Sequence, residues 1–262
     1  MAKATEQKAA NVTTVTNSAR ILYLNYNILC GDAADKLKEI PTGSVDCIFT
    51  SPNPITDATK LVKTSKILGD QCKRVLKPQG SMWVHMEDDF NEDGSITHFC
   101  SDFEKRMNEQ YKWMVRGRII WYMRQPRQHP ELPLMIIEKK TMKPIDTNRF
   151  RLDYSYLYHF TQGRYGYHFD SNEFLLHNTS NINSSIYEEE YIPKFGPFET
   201  GFSESLIQMC LSLSSLPGGT VLDPFCGTGT TGKVALQMGR RFIGIEKDEN
   251  KVPQIEARLK HI

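Results

Sequence analysis

No apolar run in this chain approaches the ~20 residues needed to span a bilayer, and its polar start, Met1 to Ser18, lacks the apolar segment of a secretory signal. Both absences argue against a membrane or exported protein and make the cytoplasm the expected compartment. Cysteine is thinly spread. Cys30, Cys47, Cys72, Cys100, Cys210 and Cys226 form no C-x-x-C pair, which suggests neither a zinc site nor a disulfide framework and makes reduced thiols the expectation. The seven histidines include no H-E-x-x-H or similar spacing, so no metal is assigned. Charge is nearly balanced, 32 basic against 31 acidic side chains for a net +1, and bulk electrostatics by itself says nothing for a nucleic-acid partner. Internal repeats and low-complexity tracts are missing as well. What remains is 262 residues, 39% of them hydrophobic, enough for one large α/β domain with an insertion. Residues 1–19 are expected to form a flexible tail and residues 20–262 the domain.

The most informative stretch runs from Thr220 to Glu246 and reads as strand, glycine turn, helix, strand. Thr220 to Leu222 is a short apolar strand that Asp223-Pro224 stops. Gly227 and Gly229 can take positive φ and, lacking Cβ, let a ligand lie against the backbone where the helix from about Thr231 presents unpaired N–H groups. That helix ends at Gly239, and Phe242 to Ile245 forms the next strand. Glu246 then stands at its carboxyl end, placed like the acidic residue that accepts ribose hydroxyls in nucleotide-binding βαβ units. Three readings are open on these residues alone: an ordinary glycine turn, a phosphate-binding loop, and a nucleoside-cofactor pocket. Gly227 to Lys233 matches G-x-x-x-x-G-K, but Val234 follows where Ser or Thr should hold Mg²⁺.

A second focus lies upstream. Ile21 to Leu29 has β-character, Gly31-Asp32 closes it, and Ala33 to Ile40 has helical spacing. Val45 to Thr50 is a strand running into Ser51-Pro52-Asn53-Pro54, where two prolines in four residues force the chain out of the sheet. Thr59 to Leu76 fits an amphipathic helix, Lys77 to Gly80 a turn and Ser81 to His85 a strand; Asp102 to Glu109, Trp113 to Met123 and Asp153 to Thr161 continue as helix, strand and strand. Phe198 to Ser215 and Asn250 to Leu259 complete the helices. Residues 111–151 carry ten basic side chains against three acidic ones, interleaved with Tyr111, Trp113, Trp121 and Tyr122, a composition suited to tracking phosphates and stacking bases and equally to a solvated charged surface. Pro126, Pro130, Pro133 and Pro144 break residues 124–150 into an expected loop over the site.

The run Asp223-Pro224-Phe225-Cys226-Gly227-Thr228-Gly229-Thr230-Thr231 resembles the cofactor motif of amino-methylating DNA methyltransferases. Gly31-Asp32 followed by Ser44-Val45-Asp46-Cys47-Ile48-Phe49-Thr50-Ser51-Pro52 resembles the Gly-Asp and Ser-Val-Asp-x-Ile-x-Thr-Ser-Pro-Pro-Tyr run of their β class, in which the catalytic motif precedes the cofactor motif. Arg74 to Gly80 resembles the family's Arg-Val-Leu-Lys-Pro-Gly-Gly, and Phe202 to Leu206 its Phe-Pro-Glu-x-Leu segment at the methionine end of the cofactor. The resemblance covers about residues 20–170 and 197–260. It departs at Asn53 and Pro54, where the family has a second proline and then a stacking aromatic. Absence of any Pro-Cys dipeptide separates the chain from cytosine-C5 methyltransferases.

This resemblance implies an α/β fold: a doubly wound, Rossmann-like methyltransferase sheet, mostly parallel with an antiparallel edge strand and a circularly permuted motif order. It implies S-adenosyl-L-methionine as cofactor, held by Asp32, Ser203, Glu204, Asp223, Phe225, Gly227, Thr228, Gly229 and Glu246, with Asp32 on the adenine amine and Glu246 on the ribose. Ser51, Pro52, Asn53 and Pro54 become the catalytic residues, with Ser51 Oγ and the Pro52 carbonyl accepting from a base amine and Asn53 free to pair with the base edge. Asp32 and Ser203 can also be read as helix caps and Phe225 as core. The expected activity is sequence-specific methylation of cytosine N4 on a base flipped out of double-stranded DNA. N6-adenine or RNA amine methylation is the alternative, and a binding protein without turnover the third. The expected partners are double-stranded DNA and a cognate restriction endonuclease, with the chain acting as monomer or homodimer. Residues 171–196, short and acidic at Glu188 to Glu190, are the expected target-recognition insertion.

Overall fold

The computed structural model describes residues 25–52, 54–91, 93–124, 154–163, 186–190 and 202–262. The tail 1–19, residues 125–150 of the basic loop, all of the recognition insertion but 186–190, and Asn53 lie outside the described residues.

Eight strands make one sheet in the order β1-β8-β7-β2-β3-β5-β4-β6. They are β1 (Tyr26–Cys30), β2 (Val45–Thr50), β3 (Leu76–Met86), β4 (Met114–Arg124), β5 (Tyr154–Thr161), β6 (Ile186–Glu190), β7 (Thr220–Asp223) and β8 (Arg241–Glu246). All neighbours pair in parallel except β5, which runs antiparallel to both β3 and β4. The expected mostly parallel, doubly wound sheet is present, but its reversed strand is internal because β4 and β6 extend the sheet beyond it. β6 falls in a segment expected as recognition insertion rather than strand; its Glu-rich sequence hides the β signal, and pairing with β4 overrides it.

Helices α1 (Ala33–Lys36), α2 (Ala58–Lys66) and α3 (Phe99–Glu109) lie on one face, and α4 (Glu204–Ser214), α5 (Thr230–Gln237) and α6 (Val252–Leu259) on the other. Strands covered on both sides are apolar without alternation. β2 is buried at all six residues, Asp46 and Thr50 being its polar ones, with Ile48 in the core layer under α1 to α3 and Cys47 and Phe49 in the layer under α4 to α6. The helix expected over Thr59 to Leu76 is continuous from Ala58 to Val75 but widens into a π-helical stretch over Ile67–Cys72. Gly69 lies there because the Tyr111 ring occupies the place of a side chain; a Cβ would meet the ring at 2.3 Å. The expected turn at Lys77 to Gly80 is absorbed into β3 as a bulge, since Val45 pairs with Leu76 and Cys47 with Ser81.

Candidate active site

β2 and β7 are adjacent and parallel, with Cys47 opposite Val221 and Ile48 opposite Leu222. The chain turns away from this pair in opposite directions, β2 towards β3 and β7 towards β8. That is the switch point of an open α/β sheet, where the carboxyl ends of strands leave a crevice for ligands. Ser51-Pro52 leaves one wall of it and Pro224 to Gly229 the other.

A single buried carboxylate fastens the two walls. Asp223 Oδ1 accepts from Thr50 Oγ1 at 2.7 Å and from the Phe225 N–H at 3.1 Å, while Oδ2 accepts from Thr231 Oγ1 at 2.8 Å. Burial pushes its pKa up to about 6, against the lowering effect of these donors. Asp223, expected to bind cofactor, therefore spends its acceptors on the protein and fixes the end of β2 to the glycine turn and the start of α5.

The turn is shaped by two left-handed glycines, Gly227 at φ +55° and Gly229 at φ +76°. A Cβ on Gly229 would stand 2.8 Å from Ile255 Cγ2, so this glycine serves close packing of α5 on α6. A Cβ on Gly227 would meet no atom nearer than the Phe225 carbonyl at 4.0 Å, because it would enter open space. Glu246, at the end of β8, accepts from the Gly227 N–H through Oε2 and the Asp248 N–H through Oε1, both at 3.0 Å, which aims its carboxylate along the turn. Arg258 Nη1 of α6 donates to the Thr228 carbonyl at 2.9 Å and braces the turn from behind.

Two clefts open on either side of this turn. The larger, of about 340 Å³, runs between Asp32, Pro52, Phe225, Gly227 and Glu246 and is rimmed by Lys60, Lys63, Lys247 and Lys251; its size falls in the ~300–1,000 Å³ range of small-molecule sites. The smaller, of about 240 Å³, is lined by Ser51, Pro52, Pro54, Phe49, Phe202 and Gly227 among others. Pro52, Phe225 and Gly227 line both, so the clefts meet at one shared wall.

Asp32 lines the larger cleft and also caps α1, accepting from the Ala34 N–H at 2.9 Å, while Oδ2 pairs with Lys63 Nζ at 2.8 Å. The Lys63 ammonium and the Ala34 amide hold its carboxyl below the usual carboxylate range. Ser203 caps α4, accepting from the Leu206 N–H at 3.1 Å. Glu204 holds Lys233 Nζ between its oxygens at 2.7 and 2.8 Å. Neither Ser203 nor Glu204 lines either of the two clefts; the residue of that segment that does is Phe202. The Lys233–Glu204 pair also disposes of the phosphate-loop reading, since the lysine that would meet a triphosphate is bound to a carboxylate and Val234 behind it is wholly buried.

Two neighbours complete the serine corner: His85, whose only signal in the sequence was its place in a strand, and Phe202, which opens the segment resembling the family's Phe-Pro-Glu-x-Leu run. His85 of β3 puts Nδ1 2.9 Å from Ser51 Oγ and Nε2 2.8 Å from Ser155 Oγ of β5. Phe202 packs edge-on against Phe49 and His85, at centroid distances of 5.3 and 4.9 Å. It brings an aromatic wall to the cleft where the tetrapeptide itself has Pro54. Among the described residues no helix is long and apolar enough to cross a membrane, and no three His, Cys, Asp or Glu side chains are grouped to hold a metal.

The sequence pattern of the DNA methylase family in its N6/N4 form matches residues 49–257. The Type II methyltransferase M.HinfI of Haemophilus influenzae is 28% identical over 270 residues, covering 92% of this chain and 69% of the relative. The DNA adenine methyltransferase YhdJ of Escherichia coli K12 is 27% identical over 257 residues, 84% of this chain and 77% of the relative. PvuII DNA methyltransferase, cytosine-N4-specific, shares the fold with a TM-score of 0.69 at 17% identity, over 90% of this chain and 86% of its own. The Thermus thermophilus protein TTHA0409, solved with S-adenosyl-L-methionine, does so at 0.68 and 19% identity, over 90% and 93%. The matched stretch contains both the serine corner and the glycine turn, with the crevice between them, and the chain belongs to the N6/N4 DNA methylase family.

Proposed function

We propose that this chain transfers a methyl group from S-adenosyl-L-methionine to the exocyclic N4 amine of a cytosine flipped out of duplex DNA. The observation that carries the reading is the 2.7 Å bond from Thr50 to Asp223, which sets the serine corner and the glycine turn side by side over two clefts with a common wall.

The residues of the larger cleft fit the cofactor. Gly227 leaves open the space a side chain would fill, Glu246 offers a fixed carboxylate to ribose hydroxyls, and Asp32, also lining this cleft, would take the adenine amine. Once bound, the sulfonium supplies an activated methyl group. Everything else falls to the chain's own groups. An exocyclic amine is a poor nucleophile because its lone pair is delocalised into the ring. Ser51 Oγ and the Pro52 carbonyl, aimed at its two hydrogens, would draw the nitrogen towards a tetrahedral shape and meet the charge that develops there. Phe202, Phe49 and Pro54 would wall the base against tumbling, and Asn53 would pair with its edge. Holding the amine in line with the methyl donor supplies much of the rate by orientation. Unstacking the base costs a few kcal/mol, offset by phosphate contacts from the basic segment 124–150.

Ser51 as the first catalytic residue supports cytosine N4, and the name of the PvuII enzyme is in line with it. YhdJ, named for adenine, is the observation that favours the second reading, N6-adenine. Type II relatives support a role beside a cognate restriction endonuclease. Incubating duplex DNA with methyl-labelled cofactor, digesting to nucleosides and separating them tests the reading. Label in N4-methylcytosine is expected; label in N6-methyladenine transfers the case to adenine, and none at all leaves a binding protein.

A further inference from the structure

We propose that His85 is the positioning residue of Ser51: its Nδ1 accepts the Ser51 hydroxyl hydrogen, so that Ser51 Oγ meets the substrate amine with lone pairs alone. The inference rests on the amine-transfer role given to Ser51 above.

A serine hydroxyl can donate one hydrogen bond and accept two. A free Ser51 would turn its hydrogen into the cleft part of the time and repel the amine it should receive. His85 Nδ1 lies 2.9 Å from Ser51 Oγ, so the pair is hydrogen-bonded, and the direction depends on which ring nitrogen carries the hydrogen. A neutral imidazole has one donor and one acceptor nitrogen. Ser155 Oγ, 2.8 Å from Nε2, suits either arrangement and does not decide. Glu87 does: its Oε1 lies 3.6 Å from Nε2 and can only accept. A lone pair on Nε2 would face that carboxylate, whereas Nε2–H is attracted to it. The hydrogen therefore sits on Nε2, and Nδ1 is left to accept from Ser51.

The surroundings keep this arrangement single. His85 is buried, and desolvation pushes its pKa down to about 3, so the ring does not become a double donor at working pH. Trp121 and Phe202 meet it edge-on, at centroid distances of 5.4 and 4.9 Å, and fix its plane without taking its nitrogens. Ser155 reaches Nε2 because β5 runs back beside β3, which gives the reversed strand a task at the site.

The direct test is nitrogen-15 NMR of the full chain labelled at histidine, without ligands, with the His85 signals assigned by their loss in His85→Phe. A protonated Nε2 and a bare, hydrogen-bonded Nδ1 are expected, and Ser51→Ala should shift the Nδ1 resonance towards that of an unbonded nitrogen while leaving Nε2 in place. A hydrogen on Nδ1, or no response to Ser51→Ala, overturns the proposal. This spectrum is independent of turnover, so it separates failure of the Ser51–His85 arrangement from failure of the amine-transfer reading, which the nucleoside analysis decides. In the enzyme, His85→Phe should lower kcat roughly tenfold with little change in KM or cofactor affinity, and His85→Asn, whose carbonyl oxygen can stand near the place of Nδ1, should recover part of the loss. Equal kcat in the two variants at matched Tm would show that the ring only fills space.

Discussion

The two left-handed glycines of the turn separate a cost in stability from a cost in binding. Alanine at either carries the left-handed penalty of about 1–2 kcal/mol. At Gly229 the added methyl also stands 2.8 Å from Ile255 Cγ2, on a β-branched side chain that is 1% exposed and has no room to swing away. Overpacking of this kind adds about 1–3 kcal/mol. Gly229→Ala should therefore lose roughly 2–5 kcal/mol and lower Tm by about 5–20 °C for a chain of this size. At Gly227 the new methyl touches nothing within the protein, so only the dihedral cost remains, a fall in Tm of roughly 2–8 °C. That methyl fills the space shared by the two clefts, and Gly227→Ala should weaken S-adenosyl-L-methionine by tenfold or more. Calorimetric unfolding and isothermal titration on the two variants measure both quantities. Wild-type cofactor affinity in Gly227→Ala would refute the placement of the cofactor against the turn, and a wild-type Tm in Gly229→Ala would refute the packing argument.

Ser51→Ala should abolish transfer to DNA while leaving cofactor affinity within about twofold, as Ser51 lines the smaller cleft and not the larger; full activity would remove it from the chemistry. Glu246→Ala leaves the Gly227 and Asp248 N–H groups without their acceptor, so a loss of about 1–3 kcal/mol in stability should accompany weaker cofactor binding, read by the same two methods. Asp223 has a folded-state pKa of about 6, above the 3.8 of an unperturbed carboxyl. Folding thus favours its protonated form, a contribution complete below about pH 4 and lost as pH rises through about 6. The Tm of Asp223→Asn relative to wild type should accordingly improve between pH 4 and pH 7, and a difference independent of pH would show that the buried carboxyl does not titrate in this window.

Both corners of the site were legible because their geometry is written in backbone chemistry: glycines that alone suit a left-handed turn, and prolines that end a strand. Strand β2 was equally plain, with four apolar residues in its six and a proline pair just beyond its end. What escaped was set by contacts between distant segments. Glu204 carries a carboxylate that a cofactor would suit, yet Lys233, 29 positions away, takes it, while Phe202 faces the cleft and Ser203 takes the cap that its local reading also offered. Nothing local distinguishes His85 from any other polar residue of a strand; its meaning comes from Ser51 and Ser155, 34 and 70 positions away. The π-helical stretch likewise packs under the Tyr111 ring, which rests over Gly69, a neighbour that helical periodicity cannot reveal.

Thr50 and Asp223 are 173 positions apart in the chain. During synthesis the serine corner leaves the ribosome long before the carboxylate that will anchor it exists, and until β7 slots between β2 and β8 the central strand waits with one edge open. Closing so long a loop is entropically slow. Nascent chains consequently gain nothing from the methyl donor, and on refolding from denaturant, secondary structure should return ahead of cofactor binding, which appears only when the last quarter of the polypeptide docks.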